Sequence, residues 1–469
     1  MEQPDVLIVG AGPAGLVTGI TLARYGVNVL LVEKRVAIST LSRATVIGTR
    51  SMEIFRSWGL EDALRAGAAD VEPCGWVTPT LASGEGAVIE LGYPTAAQAV
   101  AISPTRPAWT PQDHLEPLLV GLLQETEHGE IRFACSLVGL EETPDRVVAT
   151  LRDTASGLSE RVRARYLIAA DGAHSTVRRQ IGIRMEGPEA LAEFQMAQFD
   201  APLAEAQGDH RYGLNIITDA DAPGVLLARG AGDRWGFARE WRPGQERLDE
   251  CSEQRLLELI TTAAGVAGLR PRIKRVSTFR FAAQLAERYR NGRCFLIGDA
   301  AHRMTPRGGT GMNTAIQDGY DIGWKLGWVL RGWCGPELLD TYEAERRPVA
   351  AHNVARSADP NGAENGAADA LGWDLNGRLQ HHWIDRNGKT MSTLDLLTDG
   401  LTLLGSQQQS AHAAPSDLGT SAPIAARLLD DAVARPLGLR PGDALLVCPD
   451  GRPWLSRDDR EPRVVARIE

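Results

Sequence analysis

The sequence predicts an α/β protein built around a parallel βαβ unit, and three observations predict it. Near the start, VLIVGAGPAGLVTGITLARYGVNVLLVE (6–33) runs from an apolar stretch into Gly10, Gly12 and Gly15, spaced G-x-G-x-x-G. It continues through helix-forming residues into a second apolar run that stops at Glu33. Two later stretches, RYLIAADGAHSTVRRQIG (165–182) and GRCFLIGDAAHRMTPRGGTGMNTAIQDGYDIGWKL (292–326), repeat the order strand, turn, helix. Elsewhere, alternating runs such as GVLLARGAGDRWGFAREW (224–241) carry the period of half-buried strands, with a GAGD hairpin signal between two of them.

In the opening unit, Val6–Val9 has strand composition, Ala14–Tyr25 helical composition, and Val27–Val32 is a second β-branched and leucine run. Gly10 permits the tight turn, Gly12 lets the backbone approach a pyrophosphate, and Gly15 lets helix and strand pack closely. Pro13 and Ala14 open the helix, whose first N–H groups face an anion. Glu33, followed by Lys34, closes the second strand where an acid accepts from a ribose hydroxyl. The same acid repels a 2′-phosphate, so this pocket is expected to take FAD or NAD and not NADP.

Composition narrows the classes further. With 469 residues the chain is long enough for about two or three domains. No apolar run approaches the ~18 residues of a membrane span, and acids at Glu2 and Asp5 precede a run that glycine soon interrupts, unlike an export signal. A protein of the cytoplasm without a membrane partner is expected. Six scattered cysteines lack any C-x-x-C spacing and read as free thiols of a reducing compartment. A net charge of −10 disfavours a nucleic-acid partner. The nine histidines show no H-E-x-x-H or facial triad, so no metal site is expected. A G-x-S-x-G elbow is also missing.

Taken in order, G-x-G-x-x-G, Asp171-Gly172 and Gly298-Asp299 resemble the FAD-dependent aromatic hydroxylases, the single-component flavoprotein monooxygenases of the p-hydroxybenzoate hydroxylase fold. The resemblance covers about residues 4–355 and is strongest to the branch that tailors aromatic polyketides and related antibiotics. It implies FAD as a resident prosthetic group, with NAD(P)H and dioxygen as co-substrates. It also implies hydroxylation of a polycyclic aromatic or phenolic intermediate through a flavin C4a-hydroperoxide, the flavin carrying the chemistry so that no side chain is named as catalytic. The implied fold is a Rossmann-like FAD-binding domain (1–70, 104–189 and 282–357) interrupted by a β-sheet substrate domain (71–103 and 190–281). A shortened thioredoxin-like α/β domain without paired cysteines (371–469) follows. Baeyer–Villiger insertion or oxidative decarboxylation on the same fold, and a non-catalytic flavoprotein that binds a pathway intermediate, stay open. So does the choice between monomer and homodimer. The W-x-W-x-I-P segment of the flavin halogenases is absent.

By the resemblance, Asp299 accepts from a ribityl hydroxyl. Pro306, Gly309 and Gly311, with the N–H groups of Met312 and Asn313, bring a helix N-terminus to the flavin pyrimidine ring, where reduced flavin is negative. Arg43 and Gln112 are flavin contacts, and Asp171 and Arg178 serve nucleotide contacts and passage of the nicotinamide cofactor. A buried salt bridge between the last two is the alternative. Tyr212, Trp235, Phe237 and Arg239 fall in the sheet expected to roof the flavin, as pocket lining or as packing. Trp324 and Trp328, at i and i+4, read as core. Residues 358–370 read as a linker or active-site loop, 406–421 as mobile, and 392–405 and 443–457 as strands of the last domain.

Overall fold

A computed structural model describes residues 3–40, 44–386, 388–406, 419–441 and 443–454. A six-stranded sheet holds Arg290–Asn291, Cys294–Leu296, Tyr166–Ala169, Val6–Val9, Val29–Val32 and Gly129–Arg132 in that order. Val6–Val9 lies between two parallel neighbours, Val29–Val32 and Tyr166–Ala169. Every residue of these three strands is buried, as their unbroken apolar composition requires of strands covered on both faces. Cover comes from helix Pro13–Arg24 and from a small antiparallel sheet whose Leu137, Ala149 and Leu151 join the same core.

Helix Pro13–Arg24 begins one residue earlier than composition suggests, because the fixed φ of Pro13 suits the first helical position behind Gly12. The second strand begins at Val29 and not Val27, because the Val27 N–H bonds back to the Leu22 carbonyl and closes the helix end. A 20-residue helix, Gly311–Leu330, lies against Pro13–Arg24. A Cβ on Gly323 would stand 2.7 Å from Thr21 Cβ, and one on Gly327 2.7 Å from Tyr25 Cδ2, so the glycine stripe lets the two helices touch. Farther along this helix, Trp324 and Trp328 meet edge-on at 5.0 Å within the core.

A seven-stranded sheet forms the second layer, in the order Arg272–Phe281, Ala192–Asp200, Arg234–Trp241, Gly224–Ala228, Tyr212–Ile217, Glu72–Thr78, Ala87–Ile89. Its strands come from two separated stretches of chain, joined where Tyr212–Ile217 pairs in parallel with Glu72–Thr78. The GAGD turn joins Gly224–Ala228 to Arg234–Trp241 as a hairpin. One face packs on helix Glu253–Ala264 in a second core that includes Leu226, Phe237, Leu256 and Ile260.

The tail adds a mixed sheet of Ile424–Leu429, Leu401–Ser406 and Ala444–Val447. Thr393–Leu396, within the first expected strand stretch, is instead a 3₁₀ turn, because Ser392 and Asp395 close a capping box around it. The tail is riveted to the larger body by buried charges. Glu53 takes two hydrogen bonds from Arg378, at 2.6 and 3.0 Å, and Arg452 meets Asp321 at 2.7 Å. Of the stretch expected to be mobile, residues 407–418 lie outside the described residues.

Candidate functional site

The three motif segments converge at the C-terminal ends of the parallel strands. Gly10 has φ of 109°, and a Cβ there would stand 2.3 Å from the Ala170 carbonyl oxygen, so only glycine fits. Gly15 is buried against Gly10, where a Cβ would meet the Gly10 carbonyl oxygen at 2.1 Å. Gly12 is different, since a Cβ there meets nothing within 4 Å. No neighbour among the described residues demands glycine at this position, which opens onto the cavity. Glu33 accepts N–H bonds from Ala11 and Arg35, both at 3.0 Å, which leaves acceptor capacity on its carboxylate at the cavity wall. Pro13, Ala14 and Lys34 line the same wall.

Asp299 lies in the turn Gly298–Ala300, exposed between two buried neighbours, and faces the cavity without a hydrogen bond to any described residue. Next along the wall come Pro306, the turn Arg307–Gly309 with φ of 77° and 66° at its two glycines, then Gly311 and Met312 at the start of the long helix. The first N–H groups of a helix have no acceptor inside it, so this end is a donor surface. The Asn313 side chain is not part of that surface. Its amide accepts from the Gly48 N–H at 2.7 Å and donates to the Val46 and Gly309 carbonyls at 3.2 Å, which fixes the helix start. Tyr93 donates its hydroxyl to the Gly309 carbonyl at 3.0 Å from the other side, and burial pushes its pKa up, so it stays a neutral donor. Gln112 is on the wall, bonded to Glu116 at 2.6 Å. Arg43 lies outside the described residues.

Asp171 and Arg178 do not form the salt bridge weighed as their alternative role. The Asp171 carboxylate accepts from the Ser175 hydroxyl and from the N–H groups of Thr176 (2.7 Å) and Val177 (3.1 Å), capping helix Thr176–Gln180 at the cavity edge. Arg178 is buried behind that helix and donates to the Ala300 carbonyl at 3.0 Å and the Ala173 carbonyl at 3.2 Å. It thus ties the second motif to the third, a long-range contact that nothing local in its own segment announces.

On the roof, the structure corrects all four candidates. Trp235 and Phe237 are 2% and 0% exposed and belong to the core against helix Glu253–Ala264, on the face turned from the cavity. Arg239 shares their side of the strand and bonds the Glu246 carbonyl. Tyr212 stacks on Trp76 at 5.5 Å, where the strand register shifts before Leu214. Side chains alternate along a strand, so the cavity face holds their neighbours: Met196, Leu214, Ile216, Val225, Leu227 and Ala238. The missed signal is size. In RWGFARE the bulky side chains fill the back, and Gly236 and Ala238 leave the front open. Phe194 and Phe281, stacked at 4.1 Å, continue the wall, with the Arg307 guanidinium 5.3 Å over the Phe281 ring.

These walls enclose one continuous cavity of about 1800 Å³, running from the glycine turn to the apolar face of the seven-stranded sheet. Pockets for single small ligands occupy about 300–1,000 Å³, so there is room for a dinucleotide and a second molecule. Pro360, Asn361, Ala363 and Glu364 also line it, which places part of the 358–370 stretch at the site. Among the described residues, no cluster of His, Cys, Asp and Glu has metal-binding geometry, and no helix is long and apolar enough to cross a membrane.

A family model described as "FAD binding domain" matches residues 3–357. The tetracenomycin A2 monooxygenase-dioxygenase of Streptomyces glaucescens is 32% identical, over 96% of this chain and 92% of that protein. The aklavinone 12-hydroxylase of Streptomyces purpurascens is also 32% identical, over 96% and 94%. In three dimensions, aklavinone-11 hydroxylase in a ternary complex with FAD and aklavinone superposes with a TM-score of 0.85 at 30% identity, covering 98% of this chain and 96% of that one. The flavin-dependent monooxygenase PieE, in complex with FAD and substrate, gives 0.84 at 26% identity, over 96% and 95%.

Proposed function

The chain belongs to the FAD-binding family of aromatic hydroxylases, and from that premise we propose that it is an NAD(P)H-consuming monooxygenase that hydroxylates a fused-ring phenolic intermediate of the aromatic-polyketide kind. The observation that carries the reading is the single cavity joining a dinucleotide-binding turn to an apolar sheet face. The residues present fit FAD. Gly12 opens onto the cavity, Asp299 offers a carboxylate without a partner among the described residues, and the long helix starts at the wall.

Bound FAD supplies the activation of dioxygen that amino-acid side chains cannot. The chain's own contribution is placement. The N-terminus of helix Pro13–Arg24 would receive the pyrophosphate, Glu33 a ribose hydroxyl and Asp299 a ribityl hydroxyl. The N–H groups of Met312 and Asn313, at the start of the long helix, would serve the ring edge, where a helix N-terminus favours negative charge by about 0.3–2 kcal/mol. Val225, Leu227, Leu214 and Ile216 hold a flat apolar substrate and exclude water from the space between the layers. Asp171 borders the route of the visiting nicotinamide cofactor, and Arg178 supports that border from behind. The tail is a shortened thioredoxin-like domain without redox chemistry. The free cysteines, four of them buried, suit a reducing cytosol.

The test supplies fused-ring phenols and single-ring benzoates separately, follows NADH and NADPH consumption, and traces labelled dioxygen into product by mass spectrometry. One labelled oxygen in a hydroxylated fused-ring product is expected. Efficient turnover of benzoates alone, or oxygen drawn from water, sinks the reading.

A further inference from the structure

Behind the turn that faces the ring edge lies a buried cation that this reading does not use. Arg356, near the end of helix Asp340–Ala358, is 7% exposed, and a Cβ on Gly308 would stand 3.2 Å from its guanidinium carbon. Three segments of the cavity region meet on it. Nη2 donates to the Leu91 carbonyl at 2.9 Å and the Ala363 carbonyl at 2.8 Å, and Nε donates to the Gly362 carbonyl at 3.0 Å. Nη1 is buried and has no hydrogen-bond partner among the described residues.

No carboxylate among the described residues forms an ion pair with Arg356. A void of about 20 Å³ beside it is lined by Tyr93, Asn313, Asn353 and Asp374. Asp374 is already engaged by the Gln317 amide at 2.7 Å and the Arg50 N–H at 3.1 Å. Asp359 and Glu364 are exposed, and Arg307 turns away over Phe281. The void has room for one water, and a water there would leave the charge unneutralised. Burial accordingly works against the charged form and lowers the Arg356 pKa. A buried cation with only carbonyl partners is costly unless an anion comes to the site.

We propose that Arg356 is a positioning residue for the reduced cofactor: it clasps the Gly308–Gly309 turn from behind and holds a fixed positive charge under the edge of the flavin that becomes negative. Two electrons and one proton convert oxidised flavin to its reduced anion, protonated at N5, with the negative charge on the N1–C2=O edge. A cation behind the turn favours that state over both the oxidised ring and the ring protonated at N1. The inference rests on FAD lying against this turn.

The experiment compares FAD-loaded wild type, Arg356→Lys and Arg356→Gln by sulfite titration, reduction potential and melting. Sulfite adds its lone pair to N5, and the displaced electron pair settles on N1–C2=O. The titration therefore reads stabilisation of the same charge without turnover. Arg356→Gln is expected to weaken sulfite binding about tenfold and lower the two-electron potential by about 30 mV, the equivalent of that factor. Arg356→Lys keeps the charge and stays within about threefold of wild type, although it loses clasping bonds and melts lower. A merely structural arginine gives the opposite pattern. Both variants then lose FAD and stability alike, with sulfite affinity unchanged in the loaded fraction, and that result overturns the proposal. If Arg356→Gln does not fold, the wild type decides by absorbance, since reduced flavin protonated at N1 at a pH where free reduced FAD is anionic also overturns it. A wild type that takes up no FAD defeats the functional reading itself. A yellow wild type with an indifferent Arg356→Gln defeats only this inference.

Discussion

Gly319 lies directly on Ala14: a Cβ at Gly319 would stand 2.5 Å from the Ala14 carbonyl oxygen and 2.9 Å from Thr18 Oγ1. The contact decides where two helix N-termini sit relative to each other, both on the cavity wall and assigned in the proposed function to the pyrophosphate and the flavin ring. Gly319→Val should therefore act at a distance. Replacing helical glycine with alanine gains at most about 1 kcal/mol in propensity, whereas overpacking costs about 1–3 kcal/mol and more against backbone. The clash wins. Lower melting and weaker FAD retention in the same variant are expected, and a variant that melts at or above the wild-type temperature with full FAD would show that the helices can separate freely.

Gly12 and Asp299 should behave in the contrary way, because neither is needed by the apoprotein. Gly12 has φ of −78°, a value any residue adopts, and open space where a side chain would go. Gly12→Val and Asp299→Ala are each expected to leave apoprotein melting within about 0.5 kcal/mol of wild type, as for surface changes, while FAD affinity falls at least about tenfold. Equilibrium dialysis of apoprotein against FAD, beside thermal melts, checks both halves.

Asp318 is fully buried and accepts from His302 Nε2 at 2.6 Å, Arg346 Nε at 2.9 Å and the Gly298 N–H at 3.2 Å. Burial alone would raise its pKa, but the charges of His302 and Arg346 outweigh burial and hold it below the ordinary 3.8. A depressed folded pKa means stability that is present above the unfolded value and lost as pH falls through the folded one. Asp318→Asn should cost about 3–5 kcal/mol at pH 7, the cost of breaking a buried pair. The deficit should shrink as pH falls from about 3.8, where the unfolded chain takes up the proton, and should be gone only below the lower pKa of the folded wild type. Urea unfolding of both proteins at pH 7 and in the acid range measures the difference; a deficit independent of pH would mean the carboxylate is not the source.

The two faces of strand Arg234–Trp241 should give separable phenotypes. Phe237→Ala empties a fully buried site and is expected to cost about 3–5 kcal/mol of stability, with KM for a fused-ring substrate changed less than about threefold at a temperature where the protein is folded. Ala238→Leu adds volume at the cavity wall and is expected to raise KM at least about tenfold with little change in melting. Reversal of the two patterns would put Phe237 back in the pocket.

The sequence by itself determined the local devices. The spacing of Gly10, Gly12 and Gly15 between a strand and a helix is a short-range requirement, set by one turn and one close approach, and Asp171-Gly172 and Gly298-Asp299 are likewise strand ends read within a few residues. Composition also placed Trp324 and Trp328 inside, because an i, i+4 aromatic pair has one apolar stripe to fill. Only the tertiary structure decided what depends on a partner far along the chain. Period-two alternation shows that Trp235, Phe237 and Arg239 share a face but carries no sign, and helix Glu253–Ala264 chooses that face by packing on it. Arg178 reaches Ala300 across 122 positions of sequence, and Arg356 reaches Leu91 across 265. A buried guanidinium is placed by the carbonyls that surround it, and those carbonyls come together only when the layers close.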